Sequence, residues 1–453
     1  MKKPYEKPVI RKLQGGLMNK FGRSPAYARK VREEIDGVPV ARLVEQYGSP
    51  LFVYSEKTLR YRYSQMYTAF STRYPNVVFG WSYKTNYLRA ICALMHRQGA
   101  LAEVVSEMEY DKARALGVPG DQIVFNGPYK PKAVLEKAAA EGATIHIDHL
   151  DEISDLENVS AKLQRQLRVG LRLNLDSGIY PQWSRFGFNL ETGQALDAAK
   201  RIVNGRRLLI NGLHCHLGTF ILEPAAYARQ VTKLVAFSYE LQDSFKLNIE
   251  HIDIGGGFPS RNRLKGVYLP ADIAVPSVDS YAEQITEALS RSLRPGDFPK
   301  LVLESGRALV DEAGCLITTV VAAKRLPDGM RAYVADAGVN LLPTCYWYNF
   351  NIELDRDVQG VNENSVIYGP LCMYIDVISE AAALPPLARG TRLILSPVGA
   401  YNNTQWNQFI TYRPNVVLIG ENGEVDVIRE AEDLTDITRR EKLPERLRTG
   451  ARP

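Results

Sequence analysis

The sequence has few cysteines, no long apolar run and almost no imbalance of charge, and each shortage removes a class of protein. Its five cysteines, Cys92, Cys215, Cys315, Cys345 and Cys372, are scattered and show no Cys-x-x-Cys spacing. That disfavours a disulfide framework or a cysteine-built zinc site and fits a reducing compartment. No apolar stretch approaches the roughly 20 residues that cross a bilayer. The first residues carry no apolar signal core, so the expected location is cytoplasmic, with no membrane partner. The 56 Lys and Arg residues against 51 Asp and Glu leave a formal charge of +5, too near balance to argue for nucleic acid. Much of the excess lies between Lys2 and Lys30, where Glu6 is the only acidic residue. It reads as a solvated basic tail.

What is present is an ordinary globular composition, 45% hydrophobic and 24% charged over 453 residues, enough for two or three domains. Residues 1–50 read as a polar N-terminal extension, and residues 51–74 as a lead-in. That lead-in begins with an early strand, Leu51–Tyr54, able to join a later β domain. From 75 to 310 short apolar runs alternate with helical stretches. The runs include Val77–Phe79, Ile123–Phe125, Thr144–Ile147, Val169–Leu173, Leu213–Leu217, His251–Ile254 and Lys300–Glu304. Helices are expected at Leu88–Gln98, Glu107–Ala115, Pro131–Glu141 and Tyr227–Phe245. Alternation of this kind implies parallel strands and right-handed crossovers. Seven or eight such units point to a closed (β/α)8 barrel; an open doubly wound sheet is the other arrangement the periodicity allows. Residues 311–430 change texture. Strand-like runs at Cys315–Ala323, Arg331–Val334, Ser365–Tyr368, Arg392–Leu395 and Asn415–Ile419 predict a mostly β second domain. A charged tail, 431–453, closes the chain.

Five segments carry chemistry. Lys84, in Ser82-Tyr-Lys-Thr-Asn86, follows an apolar strand, at the mouth where barrel active sites sit. A lysine there can act as a Schiff-base amine; alone it reads as a surface residue after a strand, and the other motifs reverse that reading. Gly255-Gly256-Gly257 ends another strand and can bring backbone N–H groups to a phosphate, or simply turn the chain. His214-Cys-His216-Leu-Gly-Thr219 places two histidines on one side of a strand. With His96, His146, His149 and His251 scattered, no metal is expected, and a flat imidazole stacked on an aromatic cofactor is the better use of His216. Glu304-Ser-Gly-Arg307 offers a carboxylate for a pyridine nitrogen and a guanidinium for a phosphate, or a structural ion pair. Gly369-Pro-Leu-Cys372 and Gly399-Ala-Tyr401 place a thiol and a phenol at strand ends.

In this order the segments resemble the fold type III pyridoxal phosphate-dependent decarboxylases, which include diaminopimelate decarboxylase and eukaryotic-type ornithine decarboxylase, over about Leu51 to Val417. The resemblance implies an alanine-racemase-like (β/α)8 barrel followed by a β-sandwich or barrel-like domain. It implies pyridoxal 5'-phosphate as cofactor and a homodimer with shared active sites. It makes Lys84 the Schiff-base lysine, Glu304 the partner of the ring nitrogen and His216 the residue stacked on the ring. Gly255, Gly256, Gly257, Thr219, Arg307 and Tyr401 would hold the phosphate, with Thr219 where serine is commoner. Glu103 stands where aspartate is usual near the cofactor. Cys372 becomes the acid that reaches the partner's site and protonates the product carbanion, after carboxylate loss through a quinonoid. Arg307, Tyr346, Met373 and Tyr374 fall at substrate-facing positions.

The substrate's distal end departs from the family pattern. Diaminopimelate decarboxylases usually read Cys-Glu-Ser after the Gly-Pro motif, and ornithine decarboxylases place aspartate after the cysteine; here the run is Cys372-Met373-Tyr374. The Arg-Pro-x-x-Tyr segment that grips a distal carboxylate reads Leu342-Pro343-Thr-Cys-Tyr346. A charged hydrogen bond lost in a buried site costs about 1.5–3 kcal/mol, so losing two implies a different distal group. D-Lysine or D-ornithine, or a conjugate from siderophore or other secondary metabolism, would fit. The alternative is meso-diaminopimelate decarboxylation in lysine biosynthesis. An amino-acid racemase shares the barrel and the lysine, but Gly369–Cys372 and the long β domain favour decarboxylation. The same domain disfavours a non-catalytic carrier.

Overall fold

A computed structural model describes residues 31–267 and 269–448. The basic run up to Lys30 and the last residues of the charged tail lie outside the described residues. Eight strands form the barrel: β1 (Val77–Ser82), β2 (Leu101–Val104), β3 (Ile123–Phe125), β4 (Thr144–Ile147), β5 (Leu167–Asn174), β6 (Leu208–Cys215), β7 (His251–Asp253) and β8 (Lys300–Leu303). Each pairs in parallel with the next, and β8 pairs with β1, so the sheet closes. Closure excludes the open doubly wound sheet. Helices expected from periodicity occur at Arg89–Arg97, Glu107–Ala115, Lys132–Ala140 and Pro224–Phe245. Their starts are set locally: Ser106 accepts from the Glu109 N–H and His149 from the Glu152 N–H, satisfying donors that a first turn leaves open.

The second domain is mostly β. Its longest strand, Gly314–Arg325, pairs antiparallel with Leu51–Ser55, Arg331–Ala335 and Arg392–Ser396. Leu51–Ser55 also pairs in parallel with Val416–Ile419. Strands at Asn351–Leu354, Val377–Leu384 and Val425–Arg429 were not expected from the sequence. The extension expected over 1–50 is structured in its last part. Glu34–Ile35 and Val38–Pro39 form a small hairpin, and Val40–Tyr47 forms a helix. Ile35, Val38, Val40 and Leu43 pack against Leu51, Val53, Ile317, Ile394 and Val417 in one buried cluster, removing apolar surface at about 25 cal/mol per Å².

The two domains meet beside Lys84. Asn86 Nδ2 donates to the Gly399 carbonyl at 3.0 Å and to the Tyr54 hydroxyl at 2.8 Å. The Tyr401 N–H donates to the Thr85 carbonyl at 2.8 Å. No helix among the described residues is long and apolar enough to cross a membrane. Because Leu43 is fully buried, Leu43→Ala is expected to destabilise the second domain by about 2–5 kcal/mol, read from its urea unfolding; an unchanged midpoint would show that the helix adds nothing.

Candidate active site

The C-terminal ends of β1, β2, β3 and β8 lie side by side, and each delivers one polar residue to the same spot. Lys84 sits in the single turn Tyr83–Thr85 that follows β1. Its Nζ donates to both oxygens of Glu103 on β2, at 2.9 and 2.6 Å. Ser82 Oγ donates to Glu103 Oε2 at 2.6 Å. Asn126, the residue after β3, donates from Nδ2 to Glu103 Oε1 at 3.1 Å and closely to Glu304 Oε1. Glu304 follows β8. One amide therefore bridges two buried carboxylates.

Burial works against charge on Lys84, but Glu103, Glu304 and Tyr401 override it and hold its pKa above the ordinary lysine value. Burial likewise opposes charge on Glu304; His214, Lys84 and His146 overcome this and keep its carboxyl well below the usual range. Asp253 behaves oppositely. Burial and the neighbouring Glu304 push its pKa well up, opposite to that of Glu304, as expected when two buried carboxyls face each other. Its Oδ1 accepts from the Gly255 N–H at 2.8 Å.

A cavity of about 340 Å³ is lined by Lys84, Glu103, Glu304, Thr219, Arg307 and Tyr401, and by His216, Gly256 and Gly257. His216 Nδ1 accepts from the Gly256 N–H at 3.0 Å, so the proton of the neutral ring lies on Nε2. Burial and Lys84 push its pKa down to about 3. The Arg307 guanidinium lies 4.9 Å from the Tyr401 ring centre and 4.7 Å from that of Tyr348, within cation–π reach. Gly257 has φ +94°, and a Cβ there would collide with the Gly218 carbonyl. Gly255 is outside the lining and its N–H is committed to Asp253; it turns the chain at φ +67°. Cys372, Tyr346, Met373 and Tyr374 do not line this cavity. Cys372 and Tyr374 are exposed, as is Tyr346, while Met373 is half-buried.

The cavity also holds residues that sequence reasoning passed over: Asn126, Arg172, Trp183 and Phe186. Asn126 was findable, since it directly follows a barrel strand; Trp183 and Phe186 lie in a connection with no such signal. Of the four histidines read as scattered, His146 and His251 are gathered with His214, while His96 bonds to Tyr83 and Ala100 and His149 caps a helix. His146 and His214 stack inside the barrel with centroids 4.8 Å apart and planes 7° apart. His146 Nε2 meets His251 Nε2 at 3.1 Å, and His214 Nε2 lies 3.3 Å from Glu304 Oε2. Sequence separation hid this, because β4, β6 and β7 turn these side chains into one barrel interior. Ligating atoms of His146, His214, Asp253 and Glu304 lie within 4.8 Å of one another. Both His146 nitrogens are already engaged, with Asn126 and His251, which makes this a hydrogen-bonded network.

Comparison with known proteins places the site in context. The family model described as "Pyridoxal-dependent decarboxylase, pyridoxal binding domain" matches residues 57–311. A diaminopimelate decarboxylase of Actinosynnema pretiosum subsp. auranticum is 31% identical over 93% of this chain and 95% of its own. That of Methanocaldococcus jannaschii is 28% identical over 91% of this chain and 95% of its own. A solved structure of the M. jannaschii enzyme in co-complex with L-lysine superposes with a TM-score of 0.83 at 26% identity, covering 93% of this chain and 99% of that one.

Burial lowers the pKa of His146 well below the ordinary value and that of His251 to about 4, against roughly 6.5 in an unfolded chain. As pH falls below about 6.5 the unfolded chain takes up protons that the folded one refuses. Stability is therefore full above that pH and declines towards pH 4, by at most about 1.4 kcal/mol per pH unit for each histidine. His251→Gln is expected to make the fall in melting temperature between pH 6.5 and 4 shallower.

Proposed function

The chain belongs to the pyridoxal-dependent decarboxylases, and we propose that it removes the α-carboxylate of a basic or diamino acid whose distal end differs from that of meso-diaminopimelate. Carrying this reading is one cavity lined together by Lys84, an ionised Glu304 and a glycine-walled cradle beside Arg307. Pyridoxal 5'-phosphate is the cofactor of the family, and the residues present fit it. A Cβ on Gly256 would strike the Glu304 carbonyl and one on Gly257 the Gly218 carbonyl, so only glycine lets the backbone line the cavity here, and the buried Arg307 Nε and Thr85 Oγ1 have no hydrogen-bond partner among the described residues.

Lys84 is the covalent anchor. Glu103 Oε2, at 2.6 Å from Nζ, can take the proton that the amine must shed before it acts as a nucleophile. Glu304 would face the ring nitrogen and keep it protonated. His216, neutral and pinned through Nδ1, offers a flat face to the ring. Gly256, Gly257, Thr219, Arg307 and Tyr401 would surround the phosphate, with Gly255 shaping the turn. When bound, the cofactor supplies a sink for the electron pair left on Cα as the carboxylate departs. Return of a proton to that carbon falls to the Sγ of the partner's Cys372. Exposure of Cys372 outside its own chain's cavity supports a second copy as its target. Tyr346, Trp347, Tyr374 and Ile375 are exposed on neighbouring turns, an apolar patch suited to pairing two chains.

The distal-end reading rests on side-chain type and burial. Leu342, where the family grips a carboxylate with arginine, is fully buried. Tyr346, Met373 and Tyr374 bring no charge. In the chain's own cavity wall Trp183 and Phe186 are aromatic. A substrate without a second carboxylate, such as D-lysine or D-ornithine, or a larger conjugate suits these surfaces.

Two tests follow. The purified enzyme is expected to show the visible absorption band of bound cofactor, and Lys84→Ala to lose both band and turnover; a variant keeping both would overturn the assignment of Lys84. Carbon dioxide release from meso-diaminopimelate, D- and L-lysine, and D- and L-ornithine separates the substrates. Efficient turnover of meso-diaminopimelate alone would remove the distal-end proposal and leave the ordinary lysine-biosynthetic reaction.

A further inference from the structure

We infer that His146 and His251 are positioning residues that fix the direction of the Asn126 amide, and through it hold Glu103 and Glu304 ready for the cofactor. The inference rests on the reading above, in which Lys84, Glu103 and Glu304 serve pyridoxal phosphate.

Hydrogen-bond polarity determines the arrangement. The side of Asn126 that faces Glu103 and Glu304 meets two acceptors, so it must be the NH2 group. Oδ1 then points to His146 Nδ1 at 2.7 Å. An amide oxygen only accepts, so His146 must carry its proton on Nδ1. In the neutral ring Nε2 is then an acceptor. The 3.1 Å contact with His251 Nε2 is satisfied only if His251 donates. One sequence of donors runs from His251 through His146 and Asn126 to both carboxylates, with a single allowed direction. Burial favours the neutral form of both rings.

The barrel makes room for these two rings. Gly170, in the middle of β5, has no Cβ where one would strike the His146 ring. Gly212, within β6, does the same for His251. Glycine weakens a strand interior, and its use there marks close approach of another group. Barrel interiors are usually filled by branched apolar side chains; here two glycines and two imidazoles replace that filling. Without the N–H of His146, Asn126 could turn over and present its oxygen to two carboxylates. Glu103 and Glu304 would then lose their shared donor in a buried site.

The test uses full-length enzyme loaded with pyridoxal phosphate and labelled with 15N at histidine. Two of the six imidazoles are expected to be protonated at Nδ1. One is His96, whose Nδ1 lies 2.9 Å from the Ala100 carbonyl; the other is His146, identified by its loss in His146→Gln. His146→Phe keeps a flat ring without the N–H. It is expected to weaken retention of the cofactor about tenfold, the scale of one buried hydrogen bond, and to lower kcat with KM within about twofold. His146→Gln, whose amide can donate to Asn126, is expected to recover most of that loss. Should His146→Phe fail to fold, His251→Phe gives a second readout: it removes the donor to Nε2 and is expected to move the His146 signal towards the Nε2-protonated form. A His146 protonated at Nε2 in the unaltered enzyme, or equal cofactor retention by the unaltered enzyme and His146→Phe, overturns the inference. Failure of the unaltered enzyme to bind pyridoxal phosphate would instead overturn the reading on which it rests.

Discussion

Burial of negative charge at the top of the barrel governs the arrangement of the site. Glu103 and Glu304 are both removed from water, and an uncompensated carboxylate in such a place costs several kcal/mol. Each must be supplied with donors, and the barrel supplies them by adjacency. Its staves β8, β1, β2 and β3 stand in that order around the ring. Glu304, Lys84, Glu103 and Asn126 therefore arrive from four neighbouring strand ends without any long loop. The opposite wall of the cavity is built by residues that follow β6 and β7 and by the turn carrying Arg307. The second domain closes it with Tyr401, whose backbone is tied to the residue next to Lys84.

Below these groups the barrel interior is unusually polar. His214 stacks on His146, Asp253 is buried beside Glu304 with its pKa pushed up, and Asn126 links the layers. In a medium of low dielectric each of these bonds is stronger than in water, and each unmet donor is correspondingly costly. Such a network specifies geometry tightly. A lysine ammonium is stable beside the two carboxylates.

Much of this was legible in the sequence, and the exceptions have physical causes. The β/α alternation between Val77 and Leu303 is a period signal, and it led to the barrel. Lys84, Glu304 and Gly256–Gly257 stood at strand ends, where a barrel exposes its residues. His146 and His251 lay within strands, and alternation reports which face a residue takes but not how deep in the barrel it sits or what it meets. Asn126 had no charge to draw notice. The helix Val40–Tyr47 did leave a signal: Val40, Leu43, Val44 and Tyr47 follow helical spacing, but the polar and basic residues around them masked it. For Cys372 the motif was readable, whereas its location outside its own chain's cavity depends on the path of a turn in the second domain.

The place of Leu51–Ser55 bears on how the chain is made. This strand is among the earliest described elements, yet its partners are Gly314–Arg325 and Val416–Ile419. The whole barrel is thus inserted between two adjacent strands of one sheet. During synthesis the early strand has no strand partner until the whole barrel has emerged, and its other side stays open until Val416–Ile419 follows. Pairings so distant in sequence are slow to form, and an unpaired apolar strand is prone to stick to others. The barrel can fold while the early strand waits. Closure of the second domain then fastens the barrel's two ends together and brings Tyr401 to the cavity, so that a residue made after the whole barrel completes the wall beside Lys84.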